Sequence, residues 1–300
     1  MLTTLRELGE ALAHARLALV VAALALHVTG LVITGERWRV VIAALGTRLH
    51  LLRTTLINLA GIFVRNTTPA TGLGGDASRI ALLRAEGMPV ARATAAFAYV
   101  RLAELPPLLI VVALSAPAVA AVLRRAHTAR PAVGIVLATM AAAAWLARGR
   151  AREALEKLWA NTAHLRISGS AFALAIVYAT LAQVETIARQ IVVAAAFGLP
   201  LTIQQSATVT AMTIVGGFVP TVGGLGAIDA SMVAGLMLSG AGAQTAIAIT
   251  LAGRAISYLF STAAGAAALG VIGGRGILQA VHERTTNAPV RAVNWEARHR

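Results

Sequence analysis

The chain has 300 residues, 58% of them hydrophobic and only 13% charged, with a mean hydropathy of +0.76. That composition excludes a soluble globular protein, because no stretch of ~100 residues carries the mixed polarity of a soluble domain. The formal net charge of +14 comes from arginines in short segments flanking apolar runs, so it reads as a topology signal rather than as a nucleic-acid surface.

A spanning helix needs ~20 apolar residues. In chain order, Arg6 to Arg16 reads as an amphipathic interfacial helix and Leu17 to Thr34 as a first span, with no small-residue cleavage site of a signal peptide. A second run, Leu51 to Val64, stops at Arg65. A third, Ala91 to Val122, is interrupted by Pro106 and Pro107, which remove two backbone donors and predict a kink. Ala132 to Ala147 and Ser168 to Phe197 follow as the fourth and fifth. Beyond Pro200 come two short helices, Ile203 to Val219 and Ala227 to Leu238, joined by a Gly-rich break, and a last span from Thr245 to Ile272. The fold class is therefore all-α: a polytopic transmembrane bundle of seven or eight spans over residues 1–275, with a polar tail over 276–300.

Lys and Arg collect in cytoplasmic loops, which places the basic loop Arg148 to Arg166 and the C-terminal tail in the cytoplasm. Richness in Ala and Arg with a single lysine, Lys157, points to a high-GC bacterial genome and thus to a bacterial cytoplasmic membrane. Cysteine is absent, so disulfides, thiolate metal ligands and a cysteine nucleophile drop out. The seven histidines are scattered and no Asp-x-Asp or His-Glu-x-x-His occurs, so neither a metal nor a cofactor is expected.

An internal repeat appears when the segment from Pro69 is laid over that from Pro220. PATGLGGD ends at Asp76 and PTVGGLGAID at Asp229. Each is followed by a short helix, a Gly-containing turn (Gly87; Gly240 and Gly242) and a span with a lone arginine, Arg101 or Arg254. The Pro to Arg distances are 32 and 34 residues, and the repeat halves lie near 51–123 and 203–273. Pro69 and Pro220, with the glycines Gly74, Gly75, Gly223, Gly224 and Gly226, break apolar helices and leave backbone groups that lipid cannot satisfy. Such backbone is tolerated where it is buried in protein or lines a wet cavity, and paired broken helices point to a transporter-like site. If every segment spans, the two copies are oppositely oriented, an inverted repeat with two broken or re-entrant helices. Helix N-termini after the breaks attract anions such as phosphate. Two blander readings stand beside this one: Asp76 and Asp229 as caps of the helices that follow, and the glycines as sites of close helix packing.

An arginine at the centre of a span costs ~2.5–3.5 kcal/mol on insertion scales and needs a partner or a task. Arg101 has Glu104 one turn on, and Glu185 and Arg189 stand at i and i+4 on one face. Arg254 has no local acid, which calls for Asp229 or Glu185 from another helix, or for an anionic ligand.

The stretches NTTPATGLGGDASR, EGMPVARATAAFAYVRLAEL, FVPTVGGLGAIDAS and LAGRAISYLF resemble the flippase-like family of lysylphosphatidylglycerol synthase transmembrane regions, over nearly the whole chain. The resemblance puts Pro220, Gly223, Gly224, Leu225, Gly226, Asp229 and Arg254 on the family's second motif and Pro69, Gly74, Gly75, Asp76, Arg79 and Arg101 on the first. Val222 stands where the family often has a second proline, and Asp229 where it usually has glutamate. The soluble aminoacyl-transfer domain of the full synthases is missing, so synthase activity is not expected. What the resemblance and the broken helices jointly imply is a non-enzymatic membrane protein that translocates an anionic lipid or a polyprenyl-phosphate-linked lipid, with head-group contacts from Arg101, Arg254 and the motif glycines. A polyprenyl-phosphate-dependent glycosyltransferase and a non-transporting envelope scaffold are the alternatives. Protein partners cannot be read from the chain.

Overall fold

In lipid every backbone N–H and C=O has to be satisfied inside its own segment, so runs of Ala, Leu, Val and Ile fold as helices. The structure, a computed structural model, describes residues 15–68, 73–125, 165–217 and 224–273, and among these no strand occurs. The helices are α1 (Leu17–Ala44), α2 (Leu51–Thr67), α3 (Leu73–Ala85), α4 (Val90–Arg125), α5 (Gly169–Ala196), α6 (Ile203–Gly216), α7 (Ala227–Leu238) and α8 (Ala243–Val271). One π turn, Ala255–Leu259, lies inside α8 immediately after Arg254. The interfacial segment expected over Arg6 to Arg16 lies largely outside the described residues. The span expected over Ala132 to Ala147 and the C-terminal tail lie outside them altogether.

Among the described residues four helices are long and apolar enough to cross a membrane: Leu17–Ala44, Val90–Ala118, Gly169–Ala196 and Ala243–Val271. The others are shorter. Helix α2 has 17 residues, which at ~1.5 Å per residue falls short of the ~30 Å hydrocarbon core. Pro106, Pro107 and Pro117 do not interrupt α4, which stays helical through all three; neighbouring helices in a bundle make such prolines tolerable. The expected end of the first span at Thr34 is also too early, because α1 carries Glu36, Arg37, Trp38 and Arg39 as continuing helix.

The short helices pair as hairpins. A Cβ on Gly75 of α3 would lie 2.6 Å from the Gly61 carbonyl oxygen and 2.7 Å from the Arg65 Cβ of α2, so α3 folds back against α2 in near-backbone contact. Helices α6 and α7 do the same: a Cβ on Gly216 would lie 2.7 Å from the Ala227 carbonyl, and one on Gly235 would lie 3.0 Å from the Val209 Cα. The Pro-Gly segments from Pro69 and Pro220 lie in sequence between the helices of each pair, largely outside the described residues.

Each copy of the repeat is larger than the motif suggested. A 28-residue helix precedes each hairpin, α1 in one copy and α5 in the other. Both end on a left-handed glycine, Gly46 at φ 88° and Gly198 at φ 77°, as do α3 and α7 at Gly87 and Gly240. The unit is thus long helix, hairpin, long Arg-bearing helix. Helices α1 and α5 form the largest helix–helix contact and run antiparallel. The Arg16 N–H at the start of α1 donates to the Ala196 carbonyl at the end of α5 at 3.0 Å, while Gly30 lies against Glu185 midway. The flanking helices are exchanged, with α8 packing on the α2 hairpin and α4 on α6. Gly265 of α8 permits the first contact by sitting on the Leu59 carbonyl and the Phe63 side chain. Tyr258 and Thr262 then bond Asn66 across it, at 2.9 and 2.8 Å.

Candidate functional site

Five helices converge on a cavity of about 550 Å³ whose lining carries five arginines against two carboxylates, Glu104 and Glu185. Arg37 comes from α1, Arg65 from α2, Arg79 from α3, Arg101 from α4 and Arg189 from α5. From α6 only Ile214 reaches it, and among the described residues α7 and α8 supply none of the lining.

A continuous chain of charge-assisted bonds holds the first four helices together. Arg37 donates to Glu104 at 2.6 Å, Arg101 donates to the other Glu104 oxygen at 3.0 Å, and the same guanidinium reaches both oxygens of Asp76 at 2.9 Å. Arg79 then donates to Asp76 at 2.8 Å and to the Asn58 side-chain carbonyl at 3.2 Å. Arg37 and Arg79 are almost fully enclosed, with 7% and 5% of their side chains exposed. Trp38 flanks the Arg79 guanidinium at 5.9 Å. On the far wall Arg189 donates to Glu185 at 2.8 Å, and the absence of a side chain on Gly30 makes room for that carboxylate. Nearby, His27 shares a 2.7 Å hydrogen bond with Ser261.

Arg65 is different. It lies deep in the protein, within electrostatic range of Asp76, Glu104, Arg101 and Arg254, yet its side chain is exposed because it faces the cavity. Among the described residues it makes no hydrogen bond and no ion pair. Two further donors on the lining are buried and unsatisfied there, Arg37 Nε and Asn58 Nδ2, and one end of the Gln183 amide is unpaired as well. The Asn58 assignment is fixed by its carbonyl, which accepts from Arg79. A buried donor without a partner costs about 1–3 kcal/mol, so this cavity is built for acceptors.

The residues singled out in the sequence divide into three groups. Arg101, Glu104, Glu185 and Arg189 line the cavity, and both acid–arginine pairs foreseen among them are formed. Arg254 finds its partner in Asp229, at 2.7 Å, and its guanidinium stacks on Tyr258 at 4.7 Å. Asp229 also accepts from the Gly226 N–H at 2.9 Å, so one carboxylate both caps α7 and pairs with Arg254. Asp76 instead pairs with Arg79 and Arg101. Gly74 and Gly75 serve the close crossing of α3 on α2, and Gly224 and Gly226 take left-handed turns at φ 71° and 83°; none of the four lines the cavity. Pro69, Pro220 and Gly223 lie outside the described residues.

Arg37, Arg65, Asn58 and Gln183 were not recognisable as site residues. The two arginines sit at the ends of apolar runs, where charges ordinarily mark topology, and the two amides lie singly among apolar neighbours. Arg79 carried a signal only through its motif.

The two copies differ at two of these positions. Counting from the motif aspartate, Arg79 corresponds to Met232, which is buried in the second copy's apolar core. Counting back from the motif proline, Asn58 corresponds to Val209, in the same core. The two segments thus share their helix order, while the cationic cavity is lined by the first segment and by α1 and α5. No curated protein and no solved structure matches the chain. The family model for the lysylphosphatidylglycerol synthase TM region matches residues 1–265, and with its helices long and apolar enough to span a bilayer, the chain belongs to that family of membrane proteins.

Proposed function

We propose that the protein binds the head group of an anionic lipid in the cavity between α1, α2, α3, α4 and α5 and moves it across the bacterial cytoplasmic membrane. The observation that carries this reading is the cavity itself: a 550 Å³ space deep in an apolar bundle, ringed by five arginines. Arginine is costly in a membrane and marks substrate paths there. Guanidinium groups are suited to phosphate oxygens because their planar forks offer several donors at once.

The architecture supports translocation rather than binding alone. Antiparallel α1 and α5, paired hairpins and exchanged long helices are the features of an inverted repeat, in which two related halves rock about a midplane site. Protein enters this reading as a carrier without chemistry, since the lining carries binding donors rather than a nucleophile poised on a base.

Reconstitution tests it. Proteoliposomes holding fluorescent phosphatidylglycerol should exchange it between leaflets faster than empty liposomes, and Arg101→Ala should abolish the gain while still eluting as a folded protein. Equal exchange in wild-type and empty liposomes, for every anionic lipid tried, would remove the proposal.

A further inference from the structure

The charges on the cavity do not balance. Its five guanidiniums are answered by three carboxylates. Asp76 and Glu104 hold Arg37, Arg79 and Arg101, and Glu185 holds Arg189. Five against three leaves an excess of two positive charges. Arg254 does not alter the count, because it lies off the lining and is matched by Asp229.

The unsatisfied groups have one sign as well. Arg65 is the guanidinium with neither an ion pair nor a hydrogen bond among the described residues. Among the buried lining atoms without partners, Arg37 Nε and Asn58 Nδ2 are both donors. A fitting ligand therefore brings two negative charges and several acceptor oxygens, and it brings no cation.

These requirements separate the phosphate head groups. A phosphodiester such as phosphatidylglycerol brings one negative charge. Zwitterionic head groups add an ammonium that the arginines repel. A phosphomonoester carries close to two charges at neutral pH and three acceptor oxygens on one centre. Resting on the lipid-binding reading above, we propose that the cavity is selective for a lipid ending in a phosphomonoester, with Arg65 as its specificity-determining contact. Arg65 is suited to this because its neighbours are committed: Asp76 and Glu104 tie Arg37, Arg79 and Arg101 into the wall, whereas the Arg65 side chain faces the open volume.

The test compares head groups on identical dioleoyl tails. Full-length protein in detergent is titrated with phosphatidic acid, with phosphatidylmethanol, which caps one phosphate oxygen and removes one charge, and with phosphatidylcholine; retention is read by native mass spectrometry. Phosphatidic acid should bind about tenfold or more tighter than phosphatidylmethanol, the scale of one lost charge-assisted contact. Arg65→Gln should bring the two within about twofold, and Arg65→Lys should restore part of the difference. Should the Arg65 variants fail to fold, the wild-type comparison alone decides. Equal retention of phosphatidic acid and phosphatidylmethanol, both above phosphatidylcholine, overturns the phosphomonoester while leaving the anionic-lipid reading intact. No preference over phosphatidylcholine overturns both. Tighter binding of cardiolipin than of phosphatidic acid would spread the two charges over two phosphodiesters and also sink the proposal. Inorganic phosphate competing at the lipid's own concentration would assign the site to soluble phosphate instead.

Discussion

Asp76 holds Arg101 through both carboxylate oxygens at 2.9 Å across a sequence separation of 25 residues, and the same separation divides Asp229 from Arg254, which meet at 2.7 Å. Each pair fastens the second helix of a hairpin to the long helix that follows it. The duplication is therefore in register from aspartate to arginine, and the two-residue difference between the copies falls between the motif proline and the aspartate. The first pair lies at the cavity and shares Arg101 with Glu104, whereas the second is a simple fastening beside Tyr258.

Breaking the second fastening should cost stability before it costs binding. Arg254→Ala leaves Asp229 its bond to the Gly226 N–H, and Asp229→Ala removes both the cap and the partner. With side chains 17% and 29% exposed, each single variant should lose less than the ~3–5 kcal/mol of a fully buried pair. Asp229→Ala should be the worse of the two, by the ~1 kcal/mol of a lost cap. Thermal unfolding in detergent, with Arg254→Ala/Asp229→Ala as the fourth corner of a double-mutant cycle, measures the coupling.

Glu104 and Arg101 should separate stability from transport. Glu104 answers two guanidiniums, and Arg37 has no other carboxylate among the described residues, so Glu104→Ala strands a nearly enclosed positive charge. Arg101→Ala leaves Asp76 with Arg79 and Glu104 with Arg37. The expected outcome is a larger loss of stability for Glu104→Ala, on the order of 3–5 kcal/mol, read as the larger fall in Tm. Arg101→Ala, with the smaller fall in Tm, should lose leaflet exchange.

Gly75 and Gly74 are adjacent, yet alanine should affect them unequally. At Gly75 the new Cβ meets the Gly61 carbonyl at 2.6 Å and the Arg65 Cβ at 2.7 Å, backbone and near-backbone atoms that cannot turn aside. At Gly74 it meets the Thr68 hydroxyl at 2.6 Å, the end of a side chain that can rotate. Overpacking of the first kind costs about 1–3 kcal/mol and the second less. The hairpin around Gly75 should open, bringing Arg65 with it, so Gly75→Ala should weaken anionic-lipid retention where Gly74→Ala does not.

Much of this was legible because membrane helices are punctuated by few residues. The glycines around Gly75 and Gly226 marked where α3 and α7 begin, and Asp76, Asp229, Arg101 and Arg254 stood out as charges within apolar runs. What stayed hidden were features without punctuation. Helices α1 and α5 share no Pro-Gly punctuation and no common spacing of their charges, so their equivalence leaves no motif. Arg37 and Arg65 look like charges at the edge of a span until α1 is seen to continue past them and α3 to fold over the end of α2. The cavity itself depends on which helices exchange neighbours, and no local pattern encodes that.

Opposite orientation of the copies can be tested with single cysteines, because the chain has none of its own and any introduced thiol is the sole reporter. The turns after α1 and α5 are equivalent in the two copies, at Gly46 and Gly198, and the antiparallel packing of α1 on α5 puts them at opposite ends of the bundle. Arg48→Cys and Leu199→Cys lie just beyond these turns, clear of the cavity lining. An impermeant maleimide applied from outside intact cells should label one and spare the other, and opening the membrane should let it label both. If both react from outside, or both only after opening, α1 and α5 enter the membrane in the same sense. The rocking of two inverted halves would then have to give way to a carrier in which the hairpins alone move.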